Sequence, residues 1–290
     1  MNARRLMLAL VFAAGLGTVL AAVAAASSLA APEAPPLTAS QRAQLAGVNF
    51  VNGCRFSHAA NDDPIVFPGQ PGKSHNHSFV GNRTTSASST LETLLGAASS
   101  CDRAGHTAAY WMPSLVVDGS LVSPLGATIY YRRRTLDAVR AFPAGFRVIA
   151  GDAYATTPQS RTVAFWNCGA AGGAAPSPTV PTCPPGRASA LRLHVTFPSC
   201  WDGRDTDSAD HKSHMRYATR GRCPATHPVA LPAITLIYRY PSIPAGSTVA
   251  LSSGGQLTAH ADFFNAWDQA TLQRLVDGCL NALRHCGHGS

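Results

Sequence analysis

The sequence predicts a mainly β protein: an antiparallel sandwich or jelly-roll-like core with long disulfide-stapled loops and a C-terminal helix. Three observations predict it. Short β-branched or aromatic runs separated by Pro and Gly recur from about residue 107 to residue 251. Eight cysteines, an even number with no Cys-x-x-Cys among them, read as bridges formed in an oxidising compartment rather than as zinc ligands. One apolar stripe at helical spacing lies near the end of the chain.

Taken in order, the chain opens on Met1-Asn2-Ala3-Arg4-Arg5 and an uncharged, alanine-rich apolar run to about Ala26. A basic start, an apolar core and small residues after it mark a secretory signal. The run is also long enough to remain as an uncleaved anchor, although Ala24-Ala25-Ala26 favours cleavage. Residues 1–31 are therefore expected to be a signal peptide or N-terminal anchor, 32–47 a linker with a short helix, and 48–290 a single domain. The protein is expected to be secreted, with membrane contact only if the first segment stays uncleaved.

Ser40 to Ala46 suits one short helix before the apolar Val48-Asn49-Phe50-Val51, and the stretch around His75 reads as a long loop with strand-like patches. Ser89 to Ala98 reads as a helix, with Leu91, Leu94 and Leu95 at helical spacing. Thr107 to Val117, Asp118-Gly119 and Leu121-Val122 make a hairpin signal, because Asp-Gly tolerates the positive φ of a type I′ turn. Further strands are expected at 127–132, 146–150, 162–166, 191–197, 234–240 and 248–251, and Gly169 to Pro181 reads as an exposed insertion. Asp268 is placed to cap a last helix whose stripe is Leu272, Leu275, Val276, Cys279, Leu280 and Leu283. That stripe is core.

Spacing alone does not fix disulfide connectivity. Pairing of neighbours is the simplest hypothesis: Cys54 with Cys101, Cys168 with Cys183, Cys200 with Cys223, and Cys279 with Cys286. The bridge from Cys200 would clamp the segment carrying His211 and His214 and lower the entropy of holding its side chains. Loss of Arg4 and Arg5 with the leader leaves 21 basic against 15 acidic residues, a formal charge of +6. Such an excess suits anionic partners such as wall polymers or acidic polysaccharide, and equally suits simple solubility.

The chemistry-bearing residues gather in three segments. The first is Ser74-His75-Asn76-His77-Ser78-Phe79-Val80-Gly81-Asn82, in which two histidines two apart share a side of an extended backbone. The second runs from Trp201-Asp202 through Asp207 and Asp210 to His211 and His214, and the third is His260-Ala261-Asp262 ahead of Asn265 and Trp267. One composite pocket is the expectation. Paired imidazoles suit one divalent transition metal, with His75, His77 and His214 as the first ligand set, His211 or His260 as other third ligands, and a carboxylate from Asp202 or Asp262.

Without a metal, His75 or His77 oriented by Asp202 or Asp207 would serve as general base, and Asp262 or Asp152 as general acid. Asn82, Trp201, Asn265 and Trp267 are candidate substrate contacts, although aromatic residues in strands are more often core. Arg132-Arg133-Arg134 reads as a solvated edge. Histidines bonding loop carbonyls remain the bland alternative to all of these roles. His285 and His288 are assigned nothing, the letters His75-Asn76-His77 match the His-Asn-His nucleases only by accident, and no Gly-x-Ser-x-Gly elbow is present.

Six ordered motifs carry a resemblance: Asp63-Pro64-Ile65-Val66 through Asn82, Tyr110-Trp111-Met112-Pro113, Phe197-Pro198-Ser199-Cys200-Trp201-Asp202-Gly203, Asp210-His211-Lys212-Ser213-His214-Met215, Cys223-Pro224-Ala225-Thr226-His227-Pro228, and His260 through Trp267. On them the chain resembles the secreted bacterial and fungal family called domain of unknown function nineteen-ninety-six. The resemblance implies an extracellular setting rich in glycan, and names no activity. Some members carry carbohydrate-binding modules; this chain leaves no length for one, so targeting by an appended domain is not expected. The expected function is cleavage of an extracellular polysaccharide, by a glycoside hydrolase or polysaccharide lyase reaction, and the competing class is a non-catalytic metal-binding or cell-wall-binding protein. No nucleic-acid partner is expected, since nothing supplies a phosphate loop.

Overall fold

The computed structural model describes residues 35–169, 175–184 and 190–288, which belong to one compact unit. The expected leader, and residues 170–174 of the expected insertion, lie outside the described residues. Among the described residues no helix is long and apolar enough to cross a membrane.

In chain order the elements begin with helix α1 (Ala39–Leu45), β1 (Asn49–Cys54), β2 (Phe56–Ala60), β3 (His77–Gly81), helix α2 (Leu91–Leu94), β4 (Ala109–Pro113), β5 (Leu115–Val117) and β6 (Ser120–Val122). They continue with β7 (Gly126–Arg132), β8 (Arg147–Gly151), β9 (Ala164–Cys168), β10 (Leu191–Thr196), β11 (Cys200–Trp201), β12 (Met215–Arg216) and β13 (Val229–Ala230). The last are β14 (Ala233–Arg239), β15 (Val249–Leu251), β16 (His260–Phe264), helix α3 (Gln269–Leu275) and β17 (His285–His288).

Two large sheets make the core, one of order β17-β1-β7-β14-β10-β9 and one of order β2-β3-β4-β16-β8. Pairing is antiparallel throughout both except between β1 and β17. Alternation sets which side chains face inward. In β7, Ala127, Ile129 and Tyr131 are buried while Thr128, Tyr130 and Arg132 are less so. Phe50, Ile129, Tyr131, Leu193, Leu236 and Tyr238 of the first sheet share one core with Val80, Tyr110, Met112, Val148 and Phe263 of the second. Polar bonds cross that core: the Tyr238 hydroxyl donates to Ser78 O at 2.6 Å, and the hydroxyls of Tyr110 and Tyr131 bond each other. The fold is thus the expected antiparallel sandwich.

The hairpin forms as expected, with φ of 48° at Asp118 and 79° at Gly119 between β5 and β6. Asp268 caps α3 by accepting from Thr271 N at 2.8 Å, and the chain continues as a π-helix over Val276–Asn281. The helix expected from Ser89 to Ala98 is only the single turn α2, because Leu95 is extended and Gly96 takes a φ of 72°. Strands β3 and β16 lie in stretches read from sequence as site motifs. Every residue of both is buried, so neither shows the polar and apolar alternation of a half-exposed strand. All four neighbour disulfides are present: Cys54–Cys101, Cys168–Cys183, Cys200–Cys223 and Cys279–Cys286. Such bridges form and persist in oxidising surroundings.

Candidate metal centre

The outer face of the five-stranded sheet carries the site. On β16, His260, Asp262 and Phe264 point to this face while Ala261 and Phe263 enter the core, as the pleat requires. Asp262 lies opposite Trp111 of β4, and Trp111 opposite Phe79 of β3, so His77 at the start of β3 belongs to the same face. The chain from Asn61 to Asn76 covers it. Asp62 fastens this cover, one carboxylate oxygen accepting from Gly72 N and the other from Ala87 N. Asp63 folds a local turn by accepting from Ile65 N and Val66 N. Asn76, between the two histidines, is held away from them by bonds with Asn61, Ser114 and Ser252.

One ligand atom each from His75, His77 and His260 lie within 4.8 Å of one another, and so do those of Asp63, His77 and Asp262. The ring centroids of His75 and His77 are 4.2 Å apart, and that of His260 is 5.0 Å from His75. His77 Nδ1 lies 3.0 Å from Asp62 O, and His260 Nδ1 lies 2.9 Å from Thr258 O. A carbonyl only accepts, so each Nδ1 carries the proton and each Nε2 presents a lone pair. This is the arrangement that orients imidazoles on a metal. Nε2 of His75, Nε2 of His77 and both carboxylate oxygens of Asp262 are buried without a hydrogen-bond partner. A further group, Cys54, Cys101 and His106, has both sulfurs in a disulfide and is no ligand set.

The site opens into a hollow of about 550 Å³, with Phe67, Tyr154, His211 and Lys212 among its walls. Lys212 Nζ donates to Gly151 O, and His211 Nδ1 meets the Asp207 carboxylate at 2.7 Å. Gly151 lies opposite His260 with a φ of 81°, and a Cβ there would fall against Ala259 O and 2.9 Å from His260 Cα. Gly151→Ala is therefore expected to cost about 3 kcal/mol through backbone strain and overpacking. A lowered urea midpoint would show it.

Of the residues singled out from sequence, His75, His77, His260 and Asp262 come together here and His211 lines the hollow. Asp210 also lines it, accepting from Ser208 Oγ, Lys212 N and Ser213 N, and the others lie elsewhere. His214 has both ring nitrogens engaged, with Ser208 Oγ at 2.7 Å and Arg147 O at 2.9 Å, so His260 and not His214 stands beside the pair. Asp202 accepts from Arg204 N and Asp205 N in an exposed turn, and Trp201 donates to Asp205 O. Asn82 ties Leu94 O to Thr107 O, and Asn265 ties Phe142 O and Pro143 O, both as buried loop anchors. Trp267 is core, stacked on His106 with centroids 3.9 Å apart and donating to the Tyr131 hydroxyl. Asp63 is the site member that sequence reasoning assigned no role. Its signal was an acid ahead of a turn, indistinguishable from Asp62 beside it.

Burial, then the proximity of His75 and His260, holds the His77 imidazole well below its usual range. Burial lowers His75 and brings His260 to about 4, so all three are neutral at pH 7. Burial, then Asp63, pushes the Asp262 carboxyl well up, and burial also raises Asp63. Away from the site, burial lowers His106 to about 3 and also lowers His58, His194 and His214.

A lowered histidine binds its proton near 6.5 when unfolded but only at lower pH when folded. Its stabilisation is full above 6.5 and drains as pH falls toward about 4 for His260 and about 3 for His106, by about 1.4 kcal/mol per pH unit for each. The two raised carboxyls act in the opposite sense but are outnumbered by the seven lowered histidines. Metal-free protein is expected to have a lower denaturant midpoint at pH 5 than at pH 7.

No curated protein and no solved structure matches the chain. A family model matches residues 63–267, a span that begins at Asp63 of the site and holds every one of its histidines and carboxylates. The chain belongs to the family described as Domain of unknown function (DUF1996).

Proposed function

We propose that this protein holds one divalent transition metal ion through His75, His77 and His260, with the Asp262 and Asp63 carboxylates beside it, and that it is exported and acts at this site on an extracellular polysaccharide. The observation that carries the metal reading is that His77 stands in two clusters of possible ligands, one with His75 and His260 and one with Asp63 and Asp262, and that His75 Nε2, His77 Nε2 and both Asp262 oxygens are buried without a hydrogen-bond partner. Such groups are costly to leave unmade in a protein interior, and neutral imidazoles suit zinc, copper or nickel. An ion so held polarises a substrate oxygen and lowers the pKa of water. The chain's own residues shape the approach: the Tyr154 ring, 88% exposed at the hollow, offers a face for a sugar, and Lys212 and His211 wall it. The leader-like start and the four disulfides support export.

Elemental analysis of the purified protein, beside His77→Ala, tests the metal reading. About one equivalent of a transition metal is expected in the parent and none in the still-folded variant. No metal in the parent after incubation with zinc and copper would end it. A panel of wall and matrix polysaccharides then tests the reaction: cleavage by the parent and none by His77→Ala is expected, and metal without any cleavage would leave a non-catalytic binder.

A further inference from the structure

The opposite outer face of the sandwich carries a second feature, in which the metal site has no part. Four arginines, Arg132, Arg134, Arg161 and Arg192, line a groove of about 620 Å³ over the six-stranded sheet, and no Asp or Glu lines it. Among the described residues no carboxylate lies within salt-bridge distance of any of the four. The run Arg132-Arg133-Arg134 is thus no plain solvated edge. Arg133 turns inward to donate to Thr135 O and Leu280 O, while its two neighbours face the groove.

Two details show that the fold bears a cost here. Arg192 and Arg239 lie directly opposite each other on β10 and β14, where like charges destabilise a sheet. The Nε atoms of Arg132 and Arg192, both on the groove, are buried with no hydrogen-bond partner. Unpaired guanidiniums in a concave, partly desolvated groove are the complement of planar or tetrahedral oxyanions, which their fork geometry grips bidentately. The groove spans β7, β14, β10 and β9, about 14 Å across at strand spacing, which is room for a stretch of chain rather than a single small anion.

We infer that this groove binds an acidic polysaccharide through the carboxylate or sulfate groups along its chain. A single-stranded nucleic acid fits less well. Its binders offer successive bare rings for base stacking, whereas here, among the described residues, Tyr217 is the one exposed ring on the groove, Tyr130 lies under the Arg132 guanidinium at 4.1 Å and Phe165 is stacked on His194 with centroids 4.3 Å apart.

The test is equilibrium binding of the full chain to polygalacturonate, heparin, neutral dextran and oligothymidylate at several salt concentrations. Binding to polygalacturonate assigns uronate as the anion, and binding to heparin assigns sulfate. Affinity should fall with salt, dextran should not bind, and Arg132→Gln/Arg192→Gln should weaken binding on the order of 100-fold. Among the described residues neither arginine pairs with a carboxylate, so this variant is expected to fold. Arg161→Gln, exposed on the groove wall, provides a second variant expected to weaken binding about tenfold. Arg140→Gln/Arg274→Gln removes two charges from elsewhere on the surface and should change affinity by less than about threefold. The inference is overturned if neither acidic glycan binds, if oligothymidylate binds as tightly, or if the remote double variant loses as much as the groove variant.

Discussion

Stripped of metal at pH 7, Asp262→Asn protein is expected to be more stable than the parent by about 1–3 kcal/mol. The parent must bury a carboxyl that no donor satisfies, beside the second buried carboxyl of Asp63. In the unfolded chain that group is ionised at pH 7 and hydrated, so folding has either to desolvate a charge or to take up a proton. Asparagine keeps the shape and removes the ionisation. The sign follows from the raised value: Asp262 favours the folded state at low pH, and that contribution is lost as pH rises from about 3.8 through its folded pKa. The advantage of the variant should therefore shrink toward pH 4. Saturating zinc should reverse the order, because a ligand held by the folded parent adds RT ln(1 + [L]/Kd) to its stability. Equal midpoints in chelator and in zinc would show that the carboxylate is compensated elsewhere and has no part in metal binding.

Replacing Cys54 and Cys101 together by Ala is expected to cost about 4 kcal/mol, against about 2 kcal/mol for Cys279 and Cys286. The difference comes from loop length, 47 residues of separation against 7. The longer loop also encloses Asp63, His75 and His77, and the cover from Asn61 to Asn76 is turn, bend and irregular chain without a strand. Its bridge is backed by Arg55 N donating to Ser100 O and Asp102 N donating to Gly53 O, so the strand pairing persists but is no longer closed by a covalent link. Metal affinity should fall in this variant and remain near the parent's in the Cys279/Cys286 variant. Urea midpoints and zinc titrations of the two reduced-cysteine proteins would show both orderings. Equal losses would mean that unfolded-state entropy does not set the stabilisation.

Much of the fold was legible because local chemistry and global structure agree in it. Asp118-Gly119 reads as a type I′ turn and both residues have positive φ; Asp268 reads as a cap and caps. The His75/His77 pair was legible as two imidazoles two residues apart, although His77 opens β3 and His75 reaches the site from the covering segment rather than from the pleat. What was not legible depended on contacts distant in sequence. β16 carries His260 and Asp262 on a face roofed by the segment around Asp63, so its polar residues look like a loop motif until the roof is in place. His214 shares a motif with His211, but Ser208 and Arg147 engage its ring and turn it away. The three arginines from Arg132 part company where β7 ends, which no run of identical letters reveals.

Anomalous diffraction from crystals grown with zinc, measured at the zinc edge, tests the central claim most directly. The account predicts a peak about 2.0–2.1 Å from an imidazole nitrogen of each of His75, His77 and His260. A map without a peak among these three rings, or with bound zinc only at other histidines, would contradict it.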